Sequence, residues 1–204
     1  MARKYNFIHF DTGRYIESLV HGQNWRKSAV LRRQRHLFDT GKLCTPSWVS
    51  EISTKYTKQM AKLGYSIVYS GFPRTVSETF GSGNKDFMRL LERLYGKKNI
   101  SVVQLKVSEK GSLDRNSHRL VCSVCGLPLL GNVKTKRCSF CAGKMRTRSL
   151  DKPEVIKVRL REYRDSTEPI IGGMRKRKIK VFQINGEPLP YKVHESVKKA
   201  LKLG

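Results

Sequence analysis

The sequence contains no long hydrophobic run and few acidic residues. No stretch of about 18 apolar residues occurs among its 204 residues, which argues against a transmembrane helix. The first residues, Met1 to Tyr5, lack the apolar segment of a secretory signal. Only 16 residues are acidic, against 42 lysines and arginines, so the net charge is +26 and the pI is near 10.3.

This excess of positive charge predicts an attraction to polyanions, and nucleic acid is a candidate partner. The alternative is that a lysine-rich composition is general in the source organism, because the cations are spread along the whole chain. One dense run, from Arg175 to Lys180, is also explained by a solvated turn before a strand. Composition alone leaves both interpretations open.

Four of the five cysteines form two CxxC pairs, so a secreted disulfide framework is not expected and the compartment is reducing. Cys122 and Cys125 are separated from Cys138 and Cys141 by twelve residues, a spacing that can place four thiolates around one Zn²⁺ ion. Four protein ligands leave no open position, so the metal would be structural. Two redox pairs are the less favoured alternative, since no thioredoxin-like strand and helix flank either pair. Cys44 is expected to be an apolar filler.

Predicted strands and helices alternate along most of the chain. Strands are expected at about 5–10, 65–70, 100–107 and 178–184, and helices at about 14–21, 27–39, 47–63, 85–95, 151–166 and 191–203. The glycine-bounded strand at 65–70 is expected to be buried, and Asp151 is expected to cap the helix that contains Pro153. The alternation predicts an α/β fold with a parallel sheet flanked by helices, interrupted by a small cysteine-containing lobe.

The string Gly71-Phe72-Pro73-Arg74-Thr75 follows a predicted strand, the cysteine lobe comes next, and a helix containing Arg159 follows the lobe. In this order the three features resemble the adenylate kinase family, whose members convert ATP and AMP into two ADP. The cysteine region is similar to the zinc-bearing lid of many bacterial members. The resemblance covers nearly the whole chain and implies a P-loop-kinase-like parallel sheet. It implies a core at residues 1–114 with a nucleoside-monophosphate-binding segment at about 14–64, a lid at 115–148, and the rest of the core at 149–204.

The same resemblance implies roles for individual residues. The arginines expected to act on the phosphates are Arg74, Arg115, Arg119, Arg148 and Arg159. Residues expected at the AMP site are Thr12, Gly13, Lys42, Leu43, Cys44, Gly71, Arg74, Glu78, Arg148 and Arg159, and residues expected at the ATP site are Arg115, Arg119 and Gly186. Guanidinium groups suit phosphoryl transfer, since they bind phosphate oxygens bidentately and stay charged. The resemblance further implies Mg²⁺ with ATP, a monomer, a cytoplasmic location and no membrane partner.

The glycine-rich phosphate loop GxxxxGK[ST] is absent from the sequence. The family match begins after the position of that loop, so a first strand, the loop and most of a helix are expected to be missing, roughly 20 to 25 residues. One interpretation is that Met1 is an internal methionine of an incomplete gene model. The other is that the chain has lost catalysis and kept a binding role. The match right up to the N-terminus favours the first.

Individual positions also depart from the family pattern. Ser70 stands where many members carry an aspartate beside the magnesium site, and Leu150 replaces one of two acids that commonly follow the lid, leaving Asp151. Glu17 occupies the place of an AMP-binding arginine, and Glu78 that of a glutamine. Because a carboxylate repels a phosphate, the acceptor pocket is expected to be rearranged or to take a different base.

A hypothesis from another class is a non-catalytic, zinc-containing protein that binds nucleic acid or associates with ribosomes. It depends on the +26 charge and the cysteine knuckles. It predicts an RNA affinity that falls steeply as the salt concentration rises.

Overall fold

The structure, a computed structural model, describes residues 2, 4–81, 86–130 and 135–203. The elements in its first half are β1 (Ile8–Asp11), α1 (Thr12–Val20), α2 (Ala29–Asp39), α3 (Pro46–Lys62), β2 (Ile67–Ser70), α4 (Val76–Phe80), α5 (Phe87–Tyr95) and β3 (Ser101–Lys106). The second half contains α6 (Glu109–Ser117), β4 (Leu120–Cys122), β5 (Pro128–Leu129), β6 (Met145–Arg146), α7 (Pro153–Glu162), α8 (Glu168–Lys176), β7 (Lys180–Asn185) and α9 (Pro190–Leu201). The predicted start of α5 at Lys85 lies outside the described residues.

The long strands pair in parallel, as the alternation of helices and strands predicts. β1 pairs with β2 from Ile8–Ile67 to Asp11–Ser70, and β3 pairs with β7 from Ser101–Lys180 to Lys106–Asn185. Within the described ranges these pairs are two separate two-stranded sheets rather than one. β2 and β3 therefore each have a hydrogen-bonded neighbour on one edge.

The predicted burial of the strand at 65–70 is wrong. Tyr65 and Ser70 are exposed, and the side chains between Ile67 and Tyr69 are only half-buried. Leu105 on β3 is likewise 50% exposed. A parallel strand becomes fully buried when it has neighbours on both edges and helices on both faces. A strand in a two-stranded sheet has a neighbour on one edge only, so it stays partly exposed.

Helix α5 joins the cores beneath the two sheets. Phe87 and Leu90 belong to a cluster with Ile16, Phe72 and other buried residues of the β1–β2 half. Met88 belongs to a second cluster with residues of α8 and the start of β7, and Leu91 packs against both clusters. These four apolar residues follow the spacing i, i+1, i+3 and i+4, so they cover an apolar face wide enough to contact both halves.

The segment after the cysteine lobe differs from its prediction. Lys152 and not Asp151 is the N-cap residue of α7, and the helical path runs beyond Ser166 through a π-helical turn at Tyr163–Thr167 into α8. Pro169 lies in the first turn of α8 and lacks an amide hydrogen, which accounts for the wide turn just before it. Thr167 in this turn donates a 2.9 Å hydrogen bond to the carbonyl oxygen of Arg74.

The cysteine lobe, residues 120–130 and 135–146, is a small antiparallel sheet in the strand order β5–β4–β6. Its buried cluster consists of Cys122, Cys138 and Met145. A core this small needs additional cross-linking to be stable. In the part of the chain that the structure describes, every helix is too short or too polar to span a bilayer.

Candidate active site and metal centre

A cavity of about 580 Å³ opens at the carboxyl ends of β3 and β7. Its lining includes the cations Arg74, Arg159 and Lys106 and the carboxylates Asp151 and Glu187. Arg74 and Arg159 are 85 positions apart in the sequence, so this convergence is a product of the fold. A mixed cationic and polar cavity at the carboxyl edge of parallel strands is the usual position of a ligand site in α/β proteins.

Arg159 lies at the centre of a group of guanidinium side chains. Burial, followed by the charges of Arg74, Arg148 and Arg119, lowers the pKa of Arg159 to about 10. Burial also lowers the pKa of Arg74, although the charges of Glu78 and Glu162 oppose this shift. At neutral pH these groups are protonated and repel one another, so an anion with several oxygens would be strongly favoured between them.

The other arginines of the predicted set are held by protein groups at the margin of the cavity. Arg119 forms a two-pronged pair with Asp151, with Nε–Oδ2 at 3.0 Å and Nη2–Oδ1 at 2.5 Å. Arg115 donates a 2.6 Å hydrogen bond to the carbonyl oxygen of Gly186 and a second hydrogen bond to that of Glu187. Asp151 and Glu187 line the cavity, so these pairs place both guanidinium groups beside it. Gly186 itself is buried.

Arg148 lies next to α1, where it pairs with Glu17 at 3.5 Å. Glu17 also accepts a 3.3 Å contact from Arg146 of β6. The repulsion expected between Glu17 and a bound phosphate is therefore offset by two cations. Arg148 nevertheless remains close enough to Arg159 to lower its pKa.

Three of the residues predicted for the acceptor site, Thr12, Gly13 and Gly71, lie at the ends of β1 and β2. A Cβ atom built on Gly71 would lie 3.7 Å from the Gly13 nitrogen and 3.9 Å from Thr12 Cβ, so these three residues are in contact. Gly71 has φ +83°, a conformation that favours glycine. The hydroxyl of Thr12 is buried and has no hydrogen-bond partner among the described residues. A buried hydroxyl without a partner is costly, and a polar ligand would satisfy it.

Glu78 supports the Arg74 loop rather than standing free in a pocket. Its Oε2 accepts hydrogen bonds from the backbone nitrogens of Arg74, at 2.7 Å, and Thr75, at 3.0 Å, and Thr75 caps α4 in return. Burial raises the pKa of Glu78. The carboxylate therefore holds the conformation of this loop while its charge faces Arg74.

The predicted loop at residues 42–44 runs between α2 and α3. Cys44 is buried, as expected for an apolar filler, and its Sγ donates to the carbonyl oxygen of Gln34 at 3.6 Å. Burial and the nearby charge of Glu78 raise the pKa of Cys44 to about 11. Lys42 is exposed and Leu43 is half-buried. The proximity of Cys44 and Glu78 brings this loop to the Arg74 side of the protein.

The four paired cysteines form one cluster in which all Sγ atoms lie within 4.8 Å of one another. Cys122 and Cys141 are separated by 3.4 Å between sulfurs, and Cys125 and Cys138 by 3.7 Å. Tetrahedral coordination with metal–sulfur distances of about 2.3 Å requires sulfur separations of about 3.8 Å. The cluster therefore fits a four-thiolate metal site.

The two knuckles complete their turns differently. Gly126 follows the first pair and has φ +71°, as expected for a glycine that relieves a tight turn. In the second pair Ala142 adopts the left-handed conformation, with φ 56°, and not Gly143. A Cβ atom on Gly143 would lie 2.9 Å from the sulfur of Cys122, so this glycine allows the two knuckles to approach each other.

Sequence reasoning did not identify Arg14. Its guanidinium donates two 2.7 Å hydrogen bonds, from Nη1 to the carbonyl oxygen of Cys125 and from Nη2 to that of Val124. Arg14, Glu17 and Arg146 also line a second cavity of about 350 Å³ between α1 and the lobe. Arg14 is more than one hundred residues away from the knuckle, and no local pattern marks the contact.

Comparison with characterised proteins identifies relatives along most of the chain. It is 30% identical over 186 residues to the adenylate kinase of Thermosipho africanus, covering 89% of this chain and 81% of that protein. It is 28% identical to the adenylate kinase of Caldanaerobacter subterraneus subsp. tengcongensis, covering 98% and 87%, and 26% identical to that of Petrotoga mobilis, covering 91% and 81%. No protein-family model matches the chain.

Proposed function

The chain belongs to the adenylate kinase family and is a nucleoside monophosphate kinase, and we propose that it transfers a phosphoryl group between ATP and AMP in the Arg74–Arg159 cavity. The observation that carries the proposal is the approach of Arg74, Arg148 and Arg119 to Arg159, whose pKa is lowered first by burial and then by these three charges. Phosphoryl transfer depends on positioning and on neutralising charge on the phosphate oxygens, and this arrangement provides both. The family resemblance also favours a monomeric enzyme in the cytoplasm.

The proposed acceptor site lies between the ends of β1 and β2 and the loop at residues 42–44. Thr12 offers its unpartnered hydroxyl, and the backbone at Gly13 and Gly71 can approach a ligand closely because neither residue has a side chain. Arg74 would bind the monophosphate, with its loop held by Glu78. These positions orient AMP toward the cavity where the transferred group would lie.

On the donor side, Arg115 and Arg119 would contact the phosphates of ATP, and the backbone at Gly186 would border the nucleotide. Each arginine would have to exchange or share its present partner, Glu187 or Asp151, with a phosphate oxygen. Mg²⁺ supplies charge neutralisation on the phosphates and would arrive with ATP. Among the described residues the cysteine cluster is the only set of three or more metal-binding side chains within ligand distance.

The cysteine cluster is proposed to hold a structural zinc ion. Thiolates are the ligands that zinc favours in closed four-coordinate sites, and such a site has no open position for substrate. Its role would be to stabilise a lobe that has only a three-residue buried cluster.

We also propose that efficient transfer needs a phosphate loop that the 204 residues do not contain as a GxxxxGK[ST] motif. Backbone amides of such a loop bind the β- and γ-phosphates. Among the described strands, β2 and β3 each pair with one neighbour, which leaves each an edge where an additional parallel strand could pair. A coupled assay with ATP and AMP should show little activity for the 204 residues and recovery when an upstream strand–GxxxxGK–helix segment is supplied.

Substitution of Arg159 tests the proposed site separately from the question of the loop. In the active, loop-supplied protein, Arg159→Met should lower kcat by about a thousandfold, as expected for an arginine that stabilises transferring phosphate. Arg161→Met, two positions along the same helix and exposed, should retain near-normal activity. Equal activities of the two variants would remove Arg159 from the mechanism, and an inactive loop-supplied parent would contradict the kinase proposal.

A further inference from the structure

The end of the β3–β7 sheet opposite the cavity is surrounded by exposed lysine and arginine side chains. Ser101 pairs with Lys180 at the amino ends of the strands, whereas Lys106 pairs with Asn185 at the carboxyl ends, next to the cavity. Three helices approach this amino end. α5 leads into β3 and α8 leads into β7. α9 is separated from β7 by four residues and packs back along it.

The segments that meet at this end carry many exposed cations. We call the set the basic face: Lys97, Lys98, Arg175, Lys176, Lys178, Lys180, Lys199 and Lys202, all exposed. Lys97 and Lys98 lie in the short turn just before β3, and the residues from Arg175 to Lys180 lead into β7. Since neighbouring strands lie about 4.8 Å apart, these two groups are adjacent in space. Lys199 and Lys202 are added by the last turn of α9.

Among the residues that the structure describes, no carboxylate neutralises the basic face. None of its members forms an ion pair with any acidic residue that the structure describes. The neighbouring acids are already engaged, since buried Asp86 pairs with Arg177 at 2.7 Å and Glu195 pairs with Lys198 at 3.3 Å. Glu92 on α5 is half-buried.

Helix dipoles offer a simpler explanation for cations at this end, because three helices have their C-termini there. Each C-terminus carries a partial charge of about −0.5, so the three together supply about −1.5. The eight positive charges of the basic face exceed that requirement several-fold. The excess remains available for an external anion.

We propose that the basic face binds double-stranded nucleic acid through its phosphate backbone. A duplex presents about one negative charge per 1.7 Å of its length, which suits a row of cations and requires no base contacts. The segments of the basic face contain no exposed large apolar side chain that could insert into a membrane. The ring of Phe80, which packs against the cluster that contains Met174 and Ile179, is covered by Arg177 at 4.6 Å, so this ring is not offered for base stacking.

The test is fluorescence anisotropy with a labelled duplex of about 20 base pairs, measured across a salt series. The variant Lys97→Gln/Lys98→Gln/Arg175→Gln/Lys176→Gln removes four charges from the basic face. The matched control Lys136→Gln/Lys144→Gln/Lys152→Gln/Lys157→Gln removes four exposed charges from the cysteine lobe and α7. Thermal unfolding of both variants checks that the fold is retained.

We expect the basic-face variant to bind the duplex at least tenfold more weakly, with a salt slope reduced by about 2 to 4. The control should change affinity less than about threefold. The matching single strand and vesicles containing phosphatidylserine should bind more weakly than the duplex. Equal losses in the two variants, no duplex binding by the parent protein, or preference for the strand or the vesicles would each overturn the proposal.

Discussion

The guanidinium of Arg14 on α1 donates a 2.7 Å hydrogen bond to the carbonyl oxygen of Cys125 in the first cysteine knuckle. The contact joins α1 to the cysteine lobe. A Cβ atom on Gly126 would lie 2.3 Å from Arg14 Nη1, so the guanidinium occupies the space left by that glycine. Together with the pairs of Glu17 to Arg146 and Arg148, it fixes where the lobe lies against α1.

Replacing Arg14 by methionine should loosen the cysteine lobe. Two hydrogen bonds to carbonyl oxygens are lost, and at an exposed position we expect a cost of about 1 kcal/mol. Amide hydrogen exchange of residues 120–130 should accelerate about fivefold, while exchange in β3 and β7 stays unchanged. Ser18→Ala, on the same helix, serves as a control. Unchanged lobe exchange in Arg14→Met would show that the contact does not hold the lobe.

Arg159→Met should stabilise the ligand-free protein. The folded pKa of Arg159, about 10, lies below its usual value, so its protonated form is disfavoured by folding. This unfavourable contribution is fully present below pH 10 and is relieved only as the pH rises above it, so it is constant at neutral pH. Differential scanning calorimetry should show a melting temperature raised by a few degrees.

With inorganic pyrophosphate bound, the parent protein should melt at a higher temperature than Arg159→Met. Pyrophosphate should raise the melting temperature of the parent protein, because an anion relieves the repulsion among Arg74, Arg148 and Arg159. The shift should be much smaller in Arg159→Met. If pyrophosphate stabilises both proteins equally, the guanidinium cluster is not the anion site.

Asp151→Asn should destabilise the protein by about 2 kcal/mol, because it leaves the partly buried Arg119 without its paired charge. That corresponds to a fall of about 4–8 °C in melting temperature for a chain of this size. The double variant Arg119→Met/Asp151→Leu should recover part of the loss, since neither charge then remains unpaired. No recovery would indicate that Asp151 acts through another contact.

Because of Cys44, the free energy of unfolding should fall as the pH rises from 9 to 11. Its pKa is raised from 9.0 to about 11 in the folded protein, so the favourable contribution is fully present below pH 9 and is lost as the pH rises through 11. In urea unfolding experiments, the free energy of unfolding of Cys44→Ala should decline less over this pH range than that of the parent. The same decline in both proteins would contradict the burial of the thiol.

A chelator that removes one metal ion per chain should unfold the cysteine lobe selectively. The lobe depends on four clustered sulfurs, whereas α5 and the parallel sheets have larger apolar cores of their own. Proteolysis should then begin within residues 120–146, and Cys138→Ser should reproduce the effect with metal present. Protection of the lobe after metal loss would contradict a structural role for the ion.

Local chemistry made the cysteine cluster, the helix periods and the parallel strands predictable from the sequence. CxxC spacing places two sulfurs on one tight turn, and alternating helices and strands permit few topologies. The predicted burial of β2 failed because burial depends on the neighbours of a strand, which its own residues do not specify. Asp151 was mistaken for a cap because its partner, Arg119, lies 32 residues away.

The sequence by itself determined the family, the two cysteine knuckles and the identity of the arginines suited to phosphate. Only the tertiary structure decided which of them share a cavity, which are paired with carboxylates, and that Arg14 contacts the lobe. The reason is physical: motif chemistry depends on a few adjacent residues, whereas pKa values and ion pairs depend on distances between segments that only folding brings together.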